Sequence, residues 1–209
     1  MMTRPADEAR DFRMDETRLE RAVHEILAGI GADPDDPRLR ETPARAATMY
    51  AELFGGMHVD AGQFLADPLP EDHRDLIALR DIEVRSMCEH HLVPMVGVAH
   101  VAYIPDGKIV GFDRIVRVVD TLARRPQVQE RLTGEIADTI ERHLEPAGVA
   151  VMLILEQMCM TIRGERQARS RTVTSAYRGL FVAEPDWRAE FRFATRQPEE
   201  WNERTGREF

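Results

Sequence analysis

No stretch of this chain approaches the ~18 consecutive apolar residues that a membrane-crossing helix needs, which removes the membrane-spanning classes. Met1 to Asp15 lack the apolar block and small-residue cleavage site of a secretory signal, so export is not expected and the cytoplasm is the expected compartment. Positive charge is short as well: 28 Lys and Arg stand against 37 Asp and Glu, a formal net charge of −9. That sign repels polyphosphate, so no nucleic-acid coating role is expected and only a local basic pocket is left open. Cysteine is scarce: Cys88 and Cys159 are the two present, and in a reducing compartment such a pair more often serves a metal or stays unpaired than forms a disulfide. With 43% apolar and 31% charged residues over 209 positions, the balance is that of a globular protein with one core.

Periodicity orders the chain. Residues 1–15 mix Pro, Asp, Glu and Arg without apolar period and read as a flexible arm. Leu19, Ala22, Val23, Ile26 and Leu27 fall at three- and four-residue steps and predict a helix stopping near Gly29 and Gly31. Thr42-Pro43, a cap residue followed by proline, opens a second helix that runs to Gly55-Gly56, and Met57 to His73 read as loop. Alternation then predicts strands from Leu76 to Met87 and from Val96 to Ile104, with a short Lys108 to Val110 folding back as an antiparallel hairpin after Pro105-Asp106-Gly107. Two helices follow, Arg114 to Ala123 and Val128 to Leu144, broken at Pro126. Val149 to Leu155 forms an apolar strand, and Arg171 to Phe181 alternates again. Strands before and after a helix pair predict an α+β domain with the helices on one sheet face.

The densest group of ligand-type side chains is Cys88-Glu89-His90-His91, at the end of a strand pattern and the start of a turn. Thiolate and imidazole are preferred zinc ligands, and Cys and His three apart at such a junction can converge on one ion. A histidine pair at a strand end is, by itself, as often a surface or packed group. Cys159 alters that balance. It follows the apolar strand, so antiparallel pairing is expected to bring it beside Cys88, completing a Cys2His set with a fourth position open for water. His91 has the ligand spacing, which leaves His90 free to exchange protons near pH 7.

At these residues the sequence resembles the GTP cyclohydrolase I family. The resemblance runs from about Thr42 to Phe193 and rests on blocks in order: Ser86-Met87-Cys88-Glu89-His90-His91-Leu92-Val93-Pro94, Ala102-Tyr103-Ile104-Pro105, Arg124-Arg125-Pro126-Gln127-Val128-Gln129-Glu130-Arg131-Leu132-Thr133, Met158-Cys159-Met160 and Ser170-Arg171-Thr172-Val173-Thr174-Ser175. It implies the tunnelling fold, in which small subunits pool their sheets into a ring and two rings stack into a homodecamer with active sites between subunits. It implies Zn2+ on Cys88, His91 and Cys159, His90 as catalytic proton carrier, and a guanine nucleotide as substrate. Gln129 and Glu130 would meet the guanine edge, whose donors and acceptor a carboxylate beside an amide can match; outside this block the pair reads as a solvated helix N-terminus. Arg45, Arg114, Arg117 and Arg163 would form the basic pocket. In the family reaction, water activated at the metal adds to C8 of GTP, the imidazole ring opens to a formamide, formate leaves, and the sugar recloses to give dihydroneopterin triphosphate.

Departures from the family pattern fall on functional positions. Gln157 stands at the second catalytic position, where the family carries histidine, and glutamine positions water but carries no proton at neutral pH. Asp113 and Arg114 replace serine and lysine, and Thr48 replaces a lysine. An unpaired carboxylate at 113 would cost about 1–4 kcal/mol against a triphosphate at contact distance. These changes raise two alternatives, a guanine nucleotide or nucleoside with fewer phosphates whose sugar hydroxyl meets Asp113, and a reaction that stops at the formamide. A zinc-stabilised assembly that binds a purine without turnover is the reading from another class. A zinc deaminase is not, since its His-x-Glu and Cys-x-x-Cys layout is missing. The expected organisation is an arm over 1–15, an N-terminal helical region over 16–72, a catalytic domain over 73–194 and an extension over 195–209 that covers a neighbouring subunit or is solvated.

Overall fold

The computed structural model describes residues 14–196 apart from 165 and 168. Residues 1–13 of the arm expected over 1–15 and residues 197–209 of the extension expected over 195–209 lie outside the described residues.

Helix α1 (Glu16–Gly29) starts where Asp15 accepts the Arg18 N–H at 2.9 Å, satisfying one of the donors a helix start leaves open. Helix α2 (Thr42–Leu53) has Pro43 in its first turn, as the dipeptide predicts, but its cap is Glu41 rather than Thr42 and makes no side-chain capping bond. The two helices pack on each other, with Val23 and Ala47 buried, and α2 touches β2 and is held at its C-terminal end by Arg124, which donates to Glu52 O.

The stretch expected to be loop contains two elements. A 3-10 helix, Ala61–Leu65, is capped by Asp60, which accepts the Gly62 N–H at 2.9 Å, and it drives Leu65 to full burial in the main core. One and a half turns are too short to show a period, which is why alternation and helical spacing both miss it. Strand β1 (Leu69–Pro70) follows, then β2 (Ile77–Cys88), β3 (Pro94–Ile104) and β4 (Lys108–Ile109). The expected hairpin of Lys108 to Val110 on β3 does not form. β4 pairs with β1, Leu69 opposite Ile109, because both edges of β3 are already taken.

Helix α3 (Phe112–Ala123), β5 (Pro126–Gln127), α4 (Gln129–Leu144), β6 (Gly148–Gln157), α5 (Met158–Thr161), β7 (Thr172–Gly179), α6 (Leu180–Ala183) and α7 (Pro185–Thr195) complete the order. The main sheet runs β5-β2-β3-β6-β7, antiparallel throughout except for the short parallel pairing of β5 with the end of β2. Leu132, Ile136, Ile140 and Leu144 form a four-residue stripe on α4 with no exposure, each burial contributing about 1.5–3 kcal/mol. They meet Val101, Tyr103, Val149, Val151, Leu153 and Leu155 from one face of β3 and β6. That bears out the α+β layering with the helix pair on one face.

The opposite face is partly covered too. Ala102, Ile104 and Ala150, the alternate residues of β3 and β6, pack with Phe181 and Phe191 from α6 and α7 in a second cluster. Two-sided burial at this end of β6 explains why its sequence is apolar without alternation. Gly179 permits the turn from β7 into α6: its φ is +55°, and a Cβ there would lie 2.2 Å from the Ala147 oxygen. Among the described residues no helix is long and apolar enough to cross a membrane.

Candidate metal centre

The loop between β2 and β3 folds Cys88 and His91 toward one point. The Cys88 N–H donates to Val93 O at 2.9 Å and the Leu92 N–H to Cys88 O at 2.9 Å, closing a tight turn in which Leu92 takes a φ of +50°. Glu89 N–H donates to Gln127 O at 3.0 Å, so β5 holds the start of the turn. Cys159 arrives from α5, immediately after β6. It does not come by direct pairing with β2, as the sequence suggested. β3 lies between β2 and β6, both antiparallel to it, so the two strands end at the same edge of the sheet.

The result is a three-ligand group: one ligand atom each from Cys88, His91 and Cys159, all within 4.8 Å of one another. Cys88 is buried, Cys159 half-buried and His91 exposed, so the group opens to solvent on one side. Burial, followed by the neighbouring Cys88 thiol, pushes the Cys159 thiol up from its ordinary value, a cost that a bound cation would reverse. Two thiols and an imidazole around one open position fit a borderline-soft divalent ion.

His90 stands next to this group, its Nδ1 3.9 Å from Cys88 Sγ and its Nε2 3.6 Å from Glu89 Oε1. Glu89 is bonded in turn by Arg131, whose Nε also donates to Gln127 Oε1 at 3.0 Å. The Arg131 hydrogen bond holds the Glu89 carboxyl below the usual carboxylate range, so it stays anionic beside His90. Both residues sit inside blocks singled out from the sequence, yet neither had an assigned role; their opposite charges were the one available signal. Arg163 Nη1 lies 3.1 Å from His91 Nε2.

The remaining candidates separate. Gln129, the first residue of α4, is buried with its amide fully engaged, whereas the adjacent Glu130 is exposed and has no protein partner among the described residues. Gln157 donates from Nε2 to Gln129 Oε1 at 2.7 Å. Arg114 Nη1 donates to Phe64 O at 3.3 Å and Arg117 stacks over the Phe64 ring at 4.9 Å, so the unforeseen 3-10 helix positions both arginines. Asp113 lies in the first turn of α3 and folds back over Gly111, its Oδ1 2.7 Å from where a Cβ on that glycine would sit. Arg45 pairs with Glu41 on its own helix, and Thr48 donates to Glu16 at 3.3 Å. Within the chain neither is bonded to Cys88, His91 or Cys159.

Known proteins bear on this arrangement. A "GTP cyclohydrolase 1" from Caldanaerobacter subterraneus subsp. tengcongensis is 49% identical over 178 residues, covering 85% of this chain and 95% of that protein. The proteins of the same name from Leifsonia xyli subsp. xyli and Rhodopirellula baltica are 53% and 51% identical, covering 84% and 85% of this chain and 93% and 77% of their own lengths. A solved structure of an archaeosine synthase QueF-Like superposes with a TM-score of 0.42 at 18% identity over 50% of this chain and 93% of that one. The sequence pattern of GTP cyclohydrolase I matches residues 19–196, which include the turn, both cysteines and α4. With its Cys88, His91 and Cys159 converging at the sheet edge where the shared blocks meet, the chain belongs to the GTP cyclohydrolase I family, and its α+β architecture is the tunnelling fold.

Proposed function

We propose that this chain is a metal-dependent hydrolase that opens the imidazole ring of GTP at C8 and releases formate, the GTP cyclohydrolase I reaction. The meeting of Cys88, His91 and Cys159 within 4.8 Å, in a chain 49% identical to a protein named for that activity, carries the reading. Zinc is the metal this donor set suits, and when bound it supplies a water whose pKa falls to about 7. His90 takes and returns the proton, and Glu89, fixed by Arg131, stabilises the imidazolium as it forms. The exposed carboxylate of Glu130 accepts from the N–H donors of the guanine edge, with Gln129 behind it. Arg45, Arg114, Arg117 and Arg163 bind the triphosphate. Asp113 sits in the first turn of α3, where the helix dipole stabilises its carboxylate.

Among the described residues the outer edge of β7 is unpaired, and β2 is covered on its outer side only at its last two residues. Open edges of this kind support a ring in which sheets of neighbouring subunits join, with two rings stacked as a homodecamer in the cytoplasm.

The test is a panel of GTP, GMP, guanosine and guanine with purified protein, followed by mass spectrometry and formate assay, before and after chelation. GTP should be converted far better than the others, and chelation should abolish conversion until zinc is returned. Gln157 favours a second feature: an amide carries no proton, so a formamide should build up ahead of formate. Formate release in step with GTP consumption from the start removes that feature. GTP left intact by the zinc-loaded protein removes the enzyme and leaves a purine-binding assembly.

A further inference from the structure

We propose that Gln157 is a positioning residue, acting through Gln129 on the start of α4, where Glu130 sits. This rests on the guanine-binding reading of Glu130 given above.

The hydrogen bonds around Gln129 run in one direction only. Its Nε2 lies 3.2 Å from Leu153 O, 2.9 Å from Thr172 O and 3.1 Å from Thr174 Oγ1. Two of these are backbone carbonyls and can only accept, so the NH2 end of the amide must face β6 and β7 and the oxygen must face away. The Thr133 hydroxyl donates to Gln129 O at 2.7 Å, which uses its one proton. At 2.6 Å from it, Thr174 Oγ1 is therefore the donor of that pair and receives its own bond from Gln129 Nε2. A closed ring results, from the Gln129 side chain through Thr174 and Thr133 to the Gln129 carbonyl. It fastens the first turn of α4 to β7.

The one group this ring leaves unserved is Gln129 Oε1. The residue is 2% exposed, so water does not replace a missing donor there without disturbing the packing. Gln157 Nε2 fills the place at 2.7 Å. Gln157 is also the last residue of β6, with the ligand Cys159 two residues on. Side chain 157 thus connects the strand that delivers a metal ligand to the helix start that presents Glu130. The requirement at 157 is a neutral N–H donor of glutamine length, and proton transfer plays no part in it.

The experiment is a double-variant cycle on the metal-loaded, assembled protein, with metal content and oligomeric mass checked for each variant. Gln157→Met keeps the size and removes the donor. The loss of one buried hydrogen bond should raise KM for GTP about tenfold while kcat stays within about threefold and metal content is unchanged. Gln129→Ala, or Gln129→Met if that variant does not fold, should make Gln157→Met nearly silent, because the amide oxygen that Gln157 serves is already gone. Effects that multiply independently overturn the proposal. So does a fall in kcat with KM unchanged, which would put Gln157 in the chemistry, and so does a lower melting temperature with both constants unchanged, which would make it structural only. If the unaltered chain binds GTP without converting it, the same cycle is read on the dissociation constant. If it neither binds nor converts GTP, the functional reading falls and takes this one with it; normal turnover with independent effects removes the coupling alone.

Discussion

Arg163 and a metal ion compete for the same electrons on His91. A neutral imidazole has one free lone pair, and the guanidinium that lies 3.1 Å from Nε2 can only donate to it. A metal bound to His91 would take that lone pair, whichever nitrogen it used, and Arg163 would lose its acceptor and be free to meet an anion. Arg163→Gln should therefore leave metal content intact and raise KM for GTP by about tenfold to a hundredfold, the usual loss for one charge-assisted hydrogen bond; metal analysis beside steady-state kinetics checks both halves. His100 is a second residue whose protonation has a measurable sign. It is 2% exposed, its Nδ1 accepts the Asp81 N–H at 3.3 Å, and burial lowers its pKa from the ordinary 6.5, with Asp81 opposing the shift and Arg80 adding to it. A depressed folded value means that the unfolded chain binds the proton first. Stability from neutral His100 is thus complete above pH 6.5 and is lost as pH falls below 6.5 toward the folded value. Urea midpoints between pH 7.5 and 5 should fall more steeply in the parent than in His100→Gln, which keeps an acceptor but does not titrate.

Helix α7 was not foreseen, and a single residue of β2 helps to secure it. Two residues after Ala78, Arg80 lies on the sheet face that packs against Phe191, just before the register with β3 slips between Leu79 and Ile82 and Asp81 takes a φ of +56°. There Arg80 Nη1 meets Ala194 O and Arg196 O, both at 3.2 Å, satisfying carbonyls that a helix end leaves open. Arg80→Ala should therefore speed amide exchange in the last turn of α7 by about tenfold, with much less change in α4, as hydrogen-exchange mass spectrometry would show. The contrast with α4 explains what was legible. The α4 stripe repeats every four residues over about three turns and buries wholly against one surface, so its spacing declares it. The hold on α7 comes from a residue 114 positions earlier, and no local pattern encodes such a bond. The metal group was legible for a different reason: cysteine and histidine are chemically specific, so type and spacing near a strand end were enough. What the spacing left out was β3 between the two ligand-bearing strands, and the Gln157, Gln129, Thr174 and Thr133 chain, whose members are ordinary polar residues until the sheet register brings them together.

In the proposed assembly, each chain carries Arg114 and Arg117 apart from its own metal group. Ser86 Oγ donates to Ala123 O at 2.7 Å, so the C-terminal end of α3 lies beside the strand end that carries Cys88. Arg114 and Arg117 are nine and six residues earlier on that helix, about 14 Å and about 9 Å away along its axis at 1.5 Å per residue, and both are tied to Phe64. In the ring proposed above, closed through the outer edges of β7 and β2, a nucleotide whose purine lies at the metal group of one subunit would find Arg163 of that subunit beside it and Arg114 and Arg117 on the next. Mixed assemblies test this. His90→Ala and Arg117→Ala chains should each be nearly inactive alone. Dissociated together in equal amounts and reassembled, they should recover about one quarter of parent activity, because half of the metal groups belong to chains with His90 and half of those sit against a neighbour with Arg117. Native mass spectrometry would verify that chains have mixed. Mixed rings with no recovered activity would place His90 and Arg117 in the same subunit's site.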